Sequence, residues 1–103
     1  NSAGPVRIAD VIEVVADHFG FTVDQLKSKR RTQDLARARQ MAMHLARELT
    51  GASLNQIGRA FGGRDHSTVA HACNVIDKLS QSEARTRGLI KELTEKIRGG
   101  RRA

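Results

Sequence analysis

Two consecutive glycines, Gly62-Gly63, separate two stretches that each carry a helical pattern, and so little chain lies between the patterns that they must meet at a tight corner. Before the corner, Ser53 and Gln56 stand three apart as a capping box, and Leu54, Ile57 and Phe61 give the helix they start one apolar face. The glycines supply the positive-φ backbone that ends this helix, and Asp65 stands where its side chain accepts from the free amides of the next. Beyond the corner Val69, Ala72, Cys73, Ile76 and Leu79 form one apolar stripe, whereas Ser67, His71, Asn74 and Lys78 lie opposite it with no packing role. Residues Ala52–Leu79 therefore read as a helix-turn-helix.

The second helix opens with Asp65, His66, Ser67 and Thr68, in the first turn from which a recognition helix meets base edges in a major groove. Asp accepts from cytosine N4, His and the hydroxyl residues donate or accept, and the Thr methyl suits thymine's methyl. A plainer reading stays open beside this one: Asp65 as a helix cap and the other three as a solvated first turn.

Charge weighs between the two. The 103-residue chain carries +7 overall, unevenly spread. Residues 1–26 hold one Arg against four acids, residues 27–71 nine Lys and Arg against three acids, and residues 72–103 eight against four. The excess sits around the corner and beyond it, which implies a polyanionic partner. Length fits one domain, and with three Phe and neither Tyr nor Trp the core must be aliphatic. No alternating β-branched run argues for a sheet. The expected fold is all-α, a small domain of about six helices, with residues 1–7 as a linker remnant, 8–98 as the domain and 99–103 as a basic tail. A lone Cys73 on an apolar stripe, no apolar run of membrane-spanning length and no signal-peptide pattern point to a cytoplasmic protein.

In chain order, Ile8, Val11, Ile12, Val15 and Phe19 share a helix face that Gly20 closes. Thr22 and Gln25 form a capping box for a short second helix. Lys27-Ser28-Lys29-Arg30-Arg31-Thr32, with four cations in six residues, reads as an exposed loop. Such a run is either a solvated surface or a source of arginine for a narrow minor groove. From Asp34 to about Thr50 a helix places Leu35, Ala38, Ala42, Leu45 and Leu49 inward, with Gly51 as its stop and Met41 and Met43 as packing residues. Arg37, Gln40, His44 and Arg47 share its outer face, Arg39 flanks the stripe from the other side, and these long side chains suit phosphates. Ser80 with Glu83 reads as a capping box for a last helix striped by Leu89, Ile90, Leu93 and Ile97 and weakened by Gly88.

Lys29-Arg30-Arg31, the Arg39-Gln40-Met41-Ala42-Met43 segment within Ala36–Leu49, and above all Gly62-Gly63-Arg64-Asp65-His66-Ser67-Thr68-Val69 followed by His71-Ala72-Cys73 resemble the C-terminal DNA-binding domain of DnaA, the bacterial chromosomal replication initiator. The resemblance runs from about Ile8 to Ile97. It implies a helical domain that binds short A·T-rich DnaA boxes in double-stranded DNA at the replication origin. It further implies that Arg31 enters the minor groove, that Asp65, His66, Ser67 and Thr68 read bases, and that Lys29, Arg39, Gln40, Arg47, Leu54, Arg64 and His71 lie at or near the DNA backbone. No cofactor is expected in this domain, since the family's ATPase lies in a preceding one, and the isolated domain is expected to be a monomer because the boxes are asymmetric. Ser67 stands where the family often has Thr, and Ala38 and Asn55 where it often has Pro. Serine keeps the hydroxyl but lacks the methyl that would touch thymine.

Other chemistries fit poorly. Asp65, Ser67 and His71 include the residue types of a hydrolytic triad, yet no orienting group or oxyanion site accompanies them, and the chain is read as non-enzymatic. His66, His71 and Cys73 match no zinc spacing, and no GxxxxGK run accompanies the glycine corner. The competing reading from another class is an electrostatic docking surface for acidic phospholipid or an origin-regulator protein.

Overall fold

The structure, a computed structural model, describes residues 5–99. Residues 1–4 of the expected linker 1–7 and residues 100–103 of the expected tail 99–103 lie outside the described residues, and Gly99 belongs to the last helix. Six helices follow in order: α1 (Ile8–Phe19), α2 (Val23–Lys27), α3 (Gln33–Thr50), α4 (Leu54–Ala60), α5 (His66–Ser82) and α6 (Ala84–Gly99). No strand occurs among the described residues, as the absence of alternating runs leads one to expect.

The boundaries follow local chemistry. Gly20 and Gly51 end α1 and α3 in the left-handed region, at φ 79° and 73°. Thr22 caps α2 and Ser53 caps α4, each accepting from the amide three residues on while the Gln at that position reaches back to the cap amide. The expected start of α3 at Asp34 moves one residue earlier, because Thr32 is the N-cap and its hydroxyl accepts from the Leu35 amide at 3.4 Å. Arg7, assigned from sequence to the linker, is the N-cap residue of α1, its amide donating to Asp10 at 3.0 Å.

The longest helices, α3 and α5, pack together at the centre, with α1 and α6 against one side and α4 against α5 to form the helix-turn-helix. Val11, Ile12 and Val15 of α1 meet Leu35, Ala38, Met41 and Leu45 of α3 in one core that also takes in Phe61, Val69, Cys73, Ile76, Leu93 and Ile97. Each of these is at most 2% exposed, and no large hydrophobic among the described residues is exposed. Met41 and Met43 are both core residues.

Two expectations fail. The Ser80/Glu83 capping box does not form, because the Ser80 hydroxyl donates back to the Asp77 carbonyl at 2.7 Å and α5 runs on to Ser82. Glu83 is the joint between α5 and α6: its amide donates to Leu79, and its carboxylate accepts from the Thr86 hydroxyl at 2.7 Å. His44, expected on the outer face of α3, is 6% exposed and faces α5, where its Nδ1 lies 3.4 Å from an Asp77 carboxylate oxygen. Burial pulls its pKa below the ordinary imidazole value despite Asp77, which favours a neutral ring.

Candidate nucleic-acid interface

The corner between α4 and α5 is built by close backbone approach. Gly62 and Gly63 take φ of 82° and 84°. The amides of Gly63 and Arg64 both donate to the Gly58 carbonyl, at 3.1 and 2.9 Å, so the chain folds back over the last turn of α4. Gly58, which sequence reasoning passed over, makes this possible: a Cβ there would stand 2.0 Å from the Arg64 carbonyl oxygen. A glycine inside a seven-residue helix, where it costs helix stability, was the available signal.

Asp65 is the N-cap of α5, but its side chain does not make the expected capping bond. It accepts instead from the Ser67 hydroxyl at 2.7 Å and lies 3.2 Å from His66 Nδ1. The Ser67 hydroxyl is the main cause holding the Asp65 carboxyl below the usual carboxylate range, so a negative charge persists at the amino end of α5, where the helix dipole favours it. Asp65, His66, Ser67 and Thr68 are all exposed. Because Ser67 donates to Asp65, its lone pairs remain to accept from a base amine.

Beside this first turn lies an open groove of about 480 Å³, lined by Lys29 and Arg31 of the α2–α3 loop, Ala36, Arg39, Gln40 and Met43 of α3, and Arg64, Thr68, His71 and Ala72 of the corner and α5. Residues more than forty positions apart thus form one basic-walled surface. Lys29 and Arg31 are exposed, as expected of that loop. Gln40 is half-buried and accepts from Arg37 at 3.2 Å.

The remaining positions fall elsewhere or do other work. Arg39 is 7% exposed, with Nε donating to the Leu26 carbonyl at 2.8 Å and Nη2 to that of Ser28 at 3.1 Å. Arg64 is half-buried, and its guanidinium donates to the carbonyls of Lys27, Ser28 and Phe61. Burial is the first cause lowering both pKa values, followed by repulsion from a neighbouring arginine, Arg64 for Arg39 and Arg31 for Arg64; guanidinium stays charged in any case. Arg47 is exposed farther along α3 and lies outside the groove, near the Cys73 thiol. Leu54 opens α4, half-buried, and also lies outside it. The described residues contain no cluster of three or more His, Cys, Asp or Glu placed for a metal ion. No described helix is long and apolar enough to cross a membrane.

A helix, a glycine corner and a second helix with an exposed polar first turn beside a basic groove define a helix-turn-helix module of the DNA-binding class. Residues 8–76 match the family described as the bacterial dnaA protein helix-turn-helix, and the chain belongs to that family. Among solved structures it is similar to one described as a DNA replication initiation factor, with a TM-score of 0.83 and 28% sequence identity. The alignment covers 92% of this chain but 29% of that one, so the chain spans under a third of its relative's length.

Proposed function

We propose that the chain binds a short A·T-rich duplex of the DnaA-box type, with the first turn of α5 in the major groove and Arg31 in the adjacent minor groove, and that this marks a replication origin for the initiator carrying it. What supports the reading is a single observation: the basic α2–α3 loop and the polar face of α5 border one groove, as Lys29, Arg31, Thr68 and His71 all line it. A recognition helix needs a neighbouring element that fixes its register on the duplex, and cations beside its first turn serve that need. Asp65, His66, Ser67 and Thr68 then carry base choice, while Lys29, Gln40, Arg47, His71 and the start of α4 at Leu54 meet the backbone.

Groove-selective base analogues test the assignment. An inosine·cytosine pair in place of A·T keeps the minor-groove acceptors but changes the major-groove pattern. Positions read by Arg31 should tolerate this exchange, whereas positions read by α5 should lose about 1–3 kcal/mol each. Uniform tolerance at every position would remove the major-groove role. Equal binding to any duplex and to vesicles of acidic lipid would favour the electrostatic docking surface in its place.

A further inference from the structure

The carbonyls that close α2 accept hydrogen bonds from two arginines that come from distant parts of the chain. A five-residue helix leaves its last carbonyls without partners of its own. Arg39 of α3 donates Nε to Leu26 at 2.8 Å and Nη2 to Ser28 at 3.1 Å and Gln25 at 3.4 Å. Arg64, from the helix-turn-helix corner, donates Nη1 to Lys27 at 3.3 Å and to Phe61, and Nη2 to Ser28. The four carbonyls of residues 25–28 are thus all engaged, and both guanidinium forks meet on Ser28, immediately before Lys29. The corner also touches this strand of backbone directly, since a Cβ on Gly62 would stand 2.6 Å from the Lys27 carbonyl oxygen.

We propose that Arg39 and Arg64 are positioning residues: they bolt the basic loop to the corner that precedes α5, so that Arg31 and the first turn of α5 reach two grooves as one rigid unit. This deepens the DNA-binding reading above and rests on it. It also departs from the backbone-contact role that the family resemblance implies for the two residues. Arg39 is all but buried, and the Nε–Nη2 edge with which a guanidinium would grip a phosphate bidentately is committed to carbonyls. The arrangement answers an electrostatic problem as well. Arg64 is repelled by both Arg31 and Arg39, and a loop of four cations in six residues would splay without a partner. Carbonyl dipoles at the negative end of α2 offset that repulsion and hold the loop in place before DNA arrives.

The test exploits the difference between a fork and a point charge. Arg39→Lys keeps the charge but cannot bridge two carbonyls in one plane. If Arg39 positions the loop, this variant should lose about tenfold in affinity for the box, as Arg31→Ala should, and the double variant should lose no more than Arg31→Ala alone. Arg64→Lys should behave in the same way, and it stands in should Arg39→Lys fail to fold by thermal melt. Backbone order parameters for Lys29–Arg31, measured by NMR on the free chain, should fall from about 0.85 to below about 0.6 in either variant. Near-normal affinity in both lysine variants, or losses that multiply to about a hundredfold in the double variant, would overturn the inference. So would a loop that stays rigid in both, a result that needs no DNA. A loop that loosens in variants of a chain whose wild type prefers no sequence would instead sink the DNA-box reading and leave the clamp standing.

Discussion

Replacing Gly58 by alanine sets helix propensity against packing, and the geometry decides which wins. Alanine inside α4 should add about 0.5–1 kcal/mol of stability on propensity alone. The new methyl, however, would lie 2.0 Å from the Arg64 carbonyl oxygen and 3.0 Å from its carbon, and those are backbone atoms that cannot swing aside. Relief requires the corner to lift from α4, which breaks the two hydrogen bonds from the Gly63 and Arg64 amides to the Gly58 carbonyl. Losing them costs about 1 kcal/mol each, and the overpacking itself about 1–3 kcal/mol. The net expectation is a loss of about 2–4 kcal/mol. At about 4–8 °C per kcal/mol for a domain of this size, Tm should fall by at least about 8 °C. Thermal and urea denaturation followed by far-UV circular dichroism measure both quantities. A Gly58→Ala variant as stable as the parent, or more so, would refute the claim that close backbone approach fixes this glycine.

Four further outcomes are expected. If Arg31 makes the proposed groove contact, Arg31→Ala should weaken binding to the box more than Arg101→Ala, which removes only a charge; equal losses in a binding titration would contradict this. His66→Ala should relax discrimination between matched and scrambled sites, whereas Arg47→Ala should weaken both alike, and identical discrimination in the two variants would count against the assignment. Since burial holds the His44 pKa below its unfolded value, the unfolded chain binds the proton more readily, so the stability owed to neutral His44 is complete above about pH 6.5 and is lost as pH falls below it. His44→Gln should flatten that part of a stability-against-pH curve, and an unchanged slope would show that other groups cause it. Burial raises the pKa of the Cys73 thiol, so a thiol reagent at neutral pH should label the folded chain slowly and the urea-unfolded chain fast; rapid labelling of the folded chain would contradict the packing of α5.

How much of this was legible in the sequence depended on whether the signal was local. Thr22, Gly20, Gly51 and the Ser53/Gln56 pair bound their helices through contacts within three or four residues, and periodicity placed Val69, Ala72, Cys73 and Ile76 on the buried face of α5. The Ser80/Glu83 pair matched the same capping pattern yet lies within α5 and at its end, where the Ser80 hydroxyl donates back to the Asp77 carbonyl and so does not cap a new helix. Arg39 was read as flanking the apolar stripe, and it stands four residues after Leu35 and three before Ala42; its near-complete burial was not legible, because the α2 carbonyls that make burial of a guanidinium acceptable there come from a distant part of the chain. His44 likewise stands three residues after Met41 and is buried because α5 brings Asp77 to it. The first turn of α5 was legible in its residue types and exposure, whereas the bond from Ser67 to Asp65 depends on rotamers that no spacing specifies.

The most direct test of sequence-specific recognition is a fluorescence-anisotropy titration of the chain against a DnaA-box duplex and a scrambled duplex of equal composition, at near-physiological salt. Preference for the box by a factor of about 10³ or more is the predicted result. Equal affinity for the two duplexes would contradict it, and would reduce the basic groove and the polar first turn of α5 to a general attraction for polyanions.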